Sequence, residues 1–123
     1  MFHLSSDITS WLRDAATDPQ FPDAPLDWTR ADAERIAQEE GLTLTADHWE
    51  AIRALQHYYA RHQDIGPINL RELHDALDEH FHARGGLKLL YTLFPAGPIA
   101  QSCRLAGLKA PFIAADRGFG SAA

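Results

Sequence analysis

Cys103 is the single cysteine of the chain, and Arg104 and Lys109 follow it closely. A thiol is the one side chain here able to carry sulfur, because a thiolate attacks a sulfane sulfur through a mixed intermediate. The neighbouring positive charges favour the anion. The backbone opposes them: Cys103 falls in the second half of a short helix, where the negative end of the macrodipole raises a thiol's pKa. The same cysteine also fits a plainer description, a small apolar residue packed inside its helix. Residue chemistry alone does not separate the two.

Other groups offer less. The chain has seven histidines, and LHDALDEHFH (73–82) places His74 and Asp78 one turn apart. His80 and His82, however, stand roughly 200° apart around a helix, too far to share a tetrahedral site. This stretch reads as a solvated histidine-rich face, with no metal site. The clusters Glu39-Glu40 and Asp75, Asp78, Glu79 lack the buried pairing that tunes carboxylates for acid-base work, and they too read as solvated faces. No nucleophile-base-orienter set, phosphate loop or cofactor motif is present. The chemistry is therefore at most that of a carrier acting with partners, without a cofactor.

Helices must position these residues. GPIAQSCRLAG (97–107) puts Pro98 in a first turn and Gly107 after a last one, which predicts a helix carrying Cys103. LKLLYTLFP predicts a short, largely buried helix ending before Pro95. NLRELHDALDEHFH opens with Asn69 and Glu72 in N-cap and N3 positions and repeats Leu70, Leu73, Leu77 and Phe81. In TADHWEAIRALQHYYARH, Thr45 caps a helix with Trp49, Ile52, Leu55 and Tyr59 on one face. TRADAERIAQEEG predicts a helix from capping Thr29 to Gly41. Further upstream, Ile8, Trp11, Leu12 and Ala15 recur at helical spacing, and the proline-rich stretch 18–28 is a connector, extended rather than helical. Trp28, Trp49 and Tyr58-Tyr59 read as core aromatics. The tail LKAPFIAADRGFGSAA has no period and reads as an arm.

Composition agrees with one ordinary globular domain, at 46% hydrophobic and 23% charged residues. No apolar run approaches the roughly 20 residues that span a bilayer, and the N-terminus lacks a secretory pattern. A cytoplasmic place is the expectation, in keeping with a lone thiol. Residues 1–83 hold 6 Lys/Arg against 16 Asp/Glu, and residues 84–123 hold 5 against 1. An acidic body with five scattered cations is a poor footprint for nucleic acid. A protein partner or a small anion suits the basic end better.

The stretch LLYTLFPAGPIAQSCRLAGLKAP (89–111) carries Tyr91, Leu93, Phe94, Pro95, Gly97, Pro98, Gln101, Cys103, Arg104, Ala106, Gly107 and Leu108. That run, Tyr-x-Leu-Phe-Pro-x-Gly-Pro followed by Gln, Cys-Arg and Ala-Gly-Leu, resembles the C-terminal signature of the DsrC/TusE family, sulfur-relay proteins that include a gamma-subunit-like partner of dissimilatory sulfite reductase. A weaker likeness reaches upstream through Leu73, Tyr58-Tyr59, LTLTADHW (42–49) and Asp27-Trp28. Residues 1–26 do not resemble the family's N-terminal strand hairpin.

The resemblance implies a mainly α, single-domain bundle of about five to six helices with a helix-turn-helix-like arrangement and a flexible C-terminal arm. The divisions it suggests are a divergent segment 1–26, a helical core 27–107 and an arm 108–123. The chain departs from the family in one respect. The penultimate cysteine of the family's arm would fall at Ala114, and no cysteine follows Cys103. Cys103 matches the family's other cysteine, which in two-cysteine members closes a disulfide or trisulfide with the arm. Here that bond cannot form within one chain.

The function implied is a sulfur relay in cytoplasmic sulfur metabolism, in sulfur oxidation or tRNA thiolation. Cys103 would hold a persulfide, and Tyr91, Phe94, Gly97, Pro98, Gln101, Arg104 and Lys109 would meet the partner. Partners of that kind are a DsrEFH/TusBCD-like sulfurtransferase or a sulfite-reductase-type enzyme, and a disulfide through Cys103 would join two chains. Three roles stay open: Cys103 carries sulfur alone, it pairs with another protein, or the chain has lost transfer chemistry. In the last case it regulates or scaffolds on the same fold, including as a DNA-binding regulator through Arg84, Lys88, Arg104 and Lys109.

Overall fold

The computed structural model of the chain describes residues 18–62 and 67–111. The helix expected around Ile8–Ala15, the Asp64–Gly66 break and the tail from Phe112, with Ala114, lie outside the described residues. Among the described residues there are five α-helices and no strand.

Each helix begins and ends where its backbone groups find partners. Helix α1 (Arg30–Glu39) opens on a reciprocal capping box: the Thr29 hydroxyl accepts the Asp32 N–H at 3.2 Å, and the Thr29 N–H donates to Asp32 Oδ2 at 2.9 Å. It closes at Gly41, whose φ of +70° turns the chain so that Leu42 N–H reaches the Ala37 carbonyl at 2.8 Å. Helix α2 (Ala46–His62) starts with His48 in the capping role. Thr45 N–H donates to His48 Nδ1 at 3.0 Å, so the ring hydrogen lies on Nε2, which donates to the Leu93 carbonyl at 2.8 Å. Helix α3 (Leu70–His80) is capped by Asn69, which accepts the Glu72 N–H at 2.9 Å. A 3-10 turn (His82–Arg84) leads into helix α4 (Leu87–Leu93), whose first N–H is met by Asp78 Oδ1 at 2.9 Å. Asp78 is thus a cap as well as part of an acidic face. Helix α5 (Pro98–Ala106) has Pro98 at its first position and Gly107 in the left-handed conformation after it.

Helix α5 packs on α1, α2 and α4, while α3 packs on α2 and α4. Their facing stripes, with Ile52, Leu55, Leu73, Leu77, Phe81, Leu90, Phe94, Ile99, Cys103 and Leu105, form a contiguous core. The sequence pattern misjudges two places. The connector is a run of turns rather than an extended strand, and it drives Phe21 into the core beside Trp28 and Trp49, with ring centroids 5.1 and 5.7 Å away. Helix α4 is only half buried. Leu90 and Leu93 face inward, whereas Tyr91 is 53% exposed, because α4 has α3 and α5 on one side and no described element on the other.

Candidate functional site: the C-terminal end of α5

Cys103 lies fully buried, three residues before the end of α5. That end is unusually well provided with donors. Gly107 sits at φ +76°, and the chain reverses so that Leu108 N–H donates to the Cys103 carbonyl at 2.9 Å and Gly107 N–H to the Arg104 carbonyl at 3.4 Å, a Schellman turn. The Trp28 indole donates to the Leu105 carbonyl at 2.7 Å, and the Gln56 amide to the Ala106 carbonyl at 3.0 Å. All four carbonyls of the last turn therefore meet a donor. These donors offset in part the negative end of the helix macrodipole, which disfavours a thiolate at Cys103.

Tyr59 of α2 completes the site. Its hydroxyl donates to the Lys109 carbonyl at 2.7 Å and stands 3.7 Å from Cys103 Sγ. Burial and, to a lesser extent, the adjacent Cys103 push the Tyr59 hydroxyl far above its ordinary pKa, so it stays protonated and acts only by hydrogen bonding. The cations expected to favour the thiolate are arranged differently. Arg104 forms a two-pronged pair with Glu40, at 2.8 and 3.1 Å. Glu40 raises the guanidinium's pKa first, and the charge of Cys103 adds to that. Gln101, also buried, donates to Glu40 at 2.7 Å and accepts the Ala96 N–H at 3.1 Å. Glu40 is accordingly no free solvated carboxylate, and its pKa is lowered chiefly by Arg104. The Lys109 side chain is exposed.

The remaining residues of the signature divide by burial. Phe94 and Pro98 are buried, Phe94 with its ring 5.2 Å from His48 in an edge contact. Gly97, at φ +118° and ψ 115°, allows the turn that starts α5. Together with Gln101 these residues shape the Phe94–Gly97 turn. Tyr91, Arg104 and Lys109 are the members of the set that face solvent. Tyr59, Trp28 and Glu40, which the sequence reading held only as core or surface, and Gln56, which it did not single out, all make contacts at this end of the helix. In the order Tyr59, Trp28, Gln56 and Glu40, their contacts to α5 span 44, 77, 50 and 64 residues, and no local pattern signals them.

Elsewhere, an open cleft of about 710 Å³ is lined by residues that include Glu50, Arg53, His57, Tyr58, His62 and His80, none of them from α4 or α5. His57 and His80 there pair with Asp23 and Glu50 at 2.9 and 3.0 Å. Among the described residues no group of three His, Cys, Asp or Glu converges as a metal site requires. Arg84 is paired with Asp47 and Glu50 at 2.7 and 2.6 Å. With Arg104 also paired, two of the four cations named for a nucleic-acid contact are already neutralised. No described helix is long and apolar enough to cross a membrane.

Comparison with known proteins identifies the family. The family model described as "DsrC like protein" matches residues 13–113. "Sulfurtransferase TusE" of Yersinia pseudotuberculosis is 37% identical over 86 residues, 69% of this chain and 78% of that protein. Its namesake in Salmonella typhimurium is 38% identical over 85 residues, 68% and 76% of the two chains, and that of Photorhabdus laumondii 37% over 86 residues, 69% and 76%. No solved structure matches significantly.

Proposed function

The chain belongs to the DsrC-like family, and from that premise we propose that it is a sulfur-relay protein that accepts sulfur on Cys103 and presents it to a protein acceptor. In the accepting step the Cys103 thiolate attacks the outer sulfur of a donor persulfide. The donor's S–S bond breaks, the donor departs as a thiolate, and Cys103 is left as a persulfide, with no net change in oxidation level. The observation that carries this reading is that Cys103, the only cysteine present, lies inside the matched region at the junction of α5 with Tyr59 and the chain beyond Gly107. The capped helix end supports it by offsetting in part the local charge that opposes a thiolate.

The partners are of the sulfurtransferase kind, DsrEFH/TusBCD-like, or a sulfite-reductase-type enzyme, in a reducing cytoplasm. Tyr91 and Lys109, both exposed, are the contacts nearest at hand, and Arg104 keeps α5 aligned through Glu40. Because Cys103 is buried, both sulfur transfer and a disulfide between two chains require the structure around it to open first.

The test is to load the protein from a persulfidated sulfurtransferase, remove the donor, and measure the sulfide released by dithiothreitol. Wild type is expected to release a stoichiometric amount and Cys103→Ser none. Equal release from both, or none from wild type, overturns the proposal.

A further inference from the structure

The Tyr59 hydroxyl has one hydrogen and two neighbours that compete for it. It is 2.7 Å from the Lys109 carbonyl, a pure acceptor, and 3.7 Å from Cys103 Sγ. While Cys103 is a thiol, its S–H can donate to the hydroxyl oxygen and the hydroxyl hydrogen stays on Lys109. A thiolate reverses the preference, since it can only accept, and a hydrogen bond to an ion is roughly twice as strong as one between neutral groups. The Lys109 carbonyl then loses this donor.

What Lys109 anchors is the chain just beyond the end of α5, next to Cys103. After the Gly107 reversal, Leu108 N–H is bound to the Cys103 carbonyl, Lys109 is held by Tyr59, and Pro111 is buried. We propose that the Tyr59 hydroxyl is a latch: it holds residues 108–111 closed through the Lys109 carbonyl while Cys103 is a thiol, and turns to the sulfur when the thiolate forms, releasing that strap. Making the nucleophile and uncovering it are then one event. The thiol proton leaves to water, and no electron moves. This inference rests on the reading of Cys103 as the sulfur acceptor, and it makes Tyr59 a positioning residue for that acceptor.

The charged and titratable groups around the sulfur fit this assignment. From α2 comes Tyr59 itself. Helix α5 brings Arg104, whose charge also acts on Cys103, and α1 brings Glu40, which pairs with Arg104. The strap contributes the Lys109 carbonyl, its side chain being exposed, and α4 carries Lys88 and Tyr91, both exposed. Among these, Tyr59 is the group bonded to both the strap and the sulfur.

The experiment measures the rate of Cys103 alkylation by iodoacetamide against pH in wild type and Tyr59→Phe. Loss of the anchor alone would raise the high-pH plateau without moving the midpoint. The latch, already released in wild type once the thiolate has formed, predicts an unchanged high-pH plateau and a midpoint shifted upward by about one pH unit or more, a tenfold loss of thiolate at fixed pH, because the thiolate loses a donor. An unmoved midpoint overturns it. Should Tyr59→Phe fail to fold, wild type and Cys103→Ser serve instead, with tryptic cleavage after Lys109 normalised to an unstructured peptide of the same sequence. Cleavage is expected to accelerate across the thiol's ionisation range in wild type alone, and equal profiles overturn the latch. If the midpoint shifts yet no donor loads Cys103, the sulfur-relay reading fails and the latch stands. If sulfur loads and the midpoint stays, only the latch fails.

Discussion

The indole N–H of Trp28 donates to the carbonyl of Leu105 at 2.7 Å across 77 residues of chain, tying the turn before α1 to the last turn of α5. The bond is buried, and Trp28 itself is 4% exposed. Trp28→Phe keeps most of the apolar contact and leaves that carbonyl without its donor, so unfolding stability should fall by about 1–3 kcal/mol. Urea titration of the two proteins checks this, and an unchanged midpoint would mean that the bond contributes nothing net.

Gly107 lies directly against the same tryptophan. A Cβ at this position would stand 2.7 Å from Trp28 Cδ1, and the backbone φ of +76° is one that side-chain-bearing residues rarely adopt. Gly107→Ala is therefore expected to cost about 3 kcal/mol, from the left-handed backbone and the overpacking together. The control is Gly41→Ala, where φ is +70° but no atom lies within 4 Å of the added Cβ. It should cost about 1 kcal/mol, the backbone contribution alone. Thermal melts of the two variants should separate clearly.

Glu40 makes stability depend on acid in a defined direction. Arg104 chiefly, with Gln101, holds its carboxyl below the ordinary value of 4.5 in the folded protein. Its contribution is complete above that value and disappears as pH falls through the lower, folded one. Other carboxylates, such as Glu50 beside Arg84, behave likewise, so the informative quantity is the difference between wild type and Glu40→Gln. That difference should be present at pH 6 and shrink toward zero as the pH drops below 4.5, measured as melting temperatures at fixed ionic strength. A difference that grows on acidification would contradict the assignment.

Cys103→Ser should leave the fold in place, because the smaller hydroxyl can still face the Tyr59 oxygen within the same cavity. Its far-ultraviolet circular dichroism is expected to match wild type, with stability reduced by about 1–2 kcal/mol. A collapsed spectrum would make Cys103 chiefly a core residue.

The helices were legible because their signals are local. Thr29, Asn69, Pro98 and Gly107 each act within a few residues of their own position, and the apolar stripe Ile52, Leu55, Tyr59 follows the helical repeat. Cys103 stood out by being the only thiol and by its place in an ordered signature. What surrounds it was not legible. Tyr59 looked like one more core aromatic, and Glu40 like one more surface acid, because their partners Lys109 and Arg104 lie 50 and 64 residues away. The half exposure of α4 escaped for a related reason. An apolar composition announces burial, but only the positions of α3 and α5 decide which side of the helix receives it. His48 was hidden by type, since a ring nitrogen serving as an N-cap acceptor is not among the residues that usually do so.

The mass of the intact protein tests the sulfur-relay assignment most directly. Wild type and Cys103→Ser are exposed together to a persulfidated sulfurtransferase and weighed without reduction. Wild type should gain one or more increments of about 32 Da, the mass of a sulfur atom added to a thiolate as a persulfide, while Cys103→Ser gains none. If wild type stays at its starting mass although Cys103 is alkylated after unfolding, the cysteine is a packed structural residue and the sulfur-relay assignment is wrong.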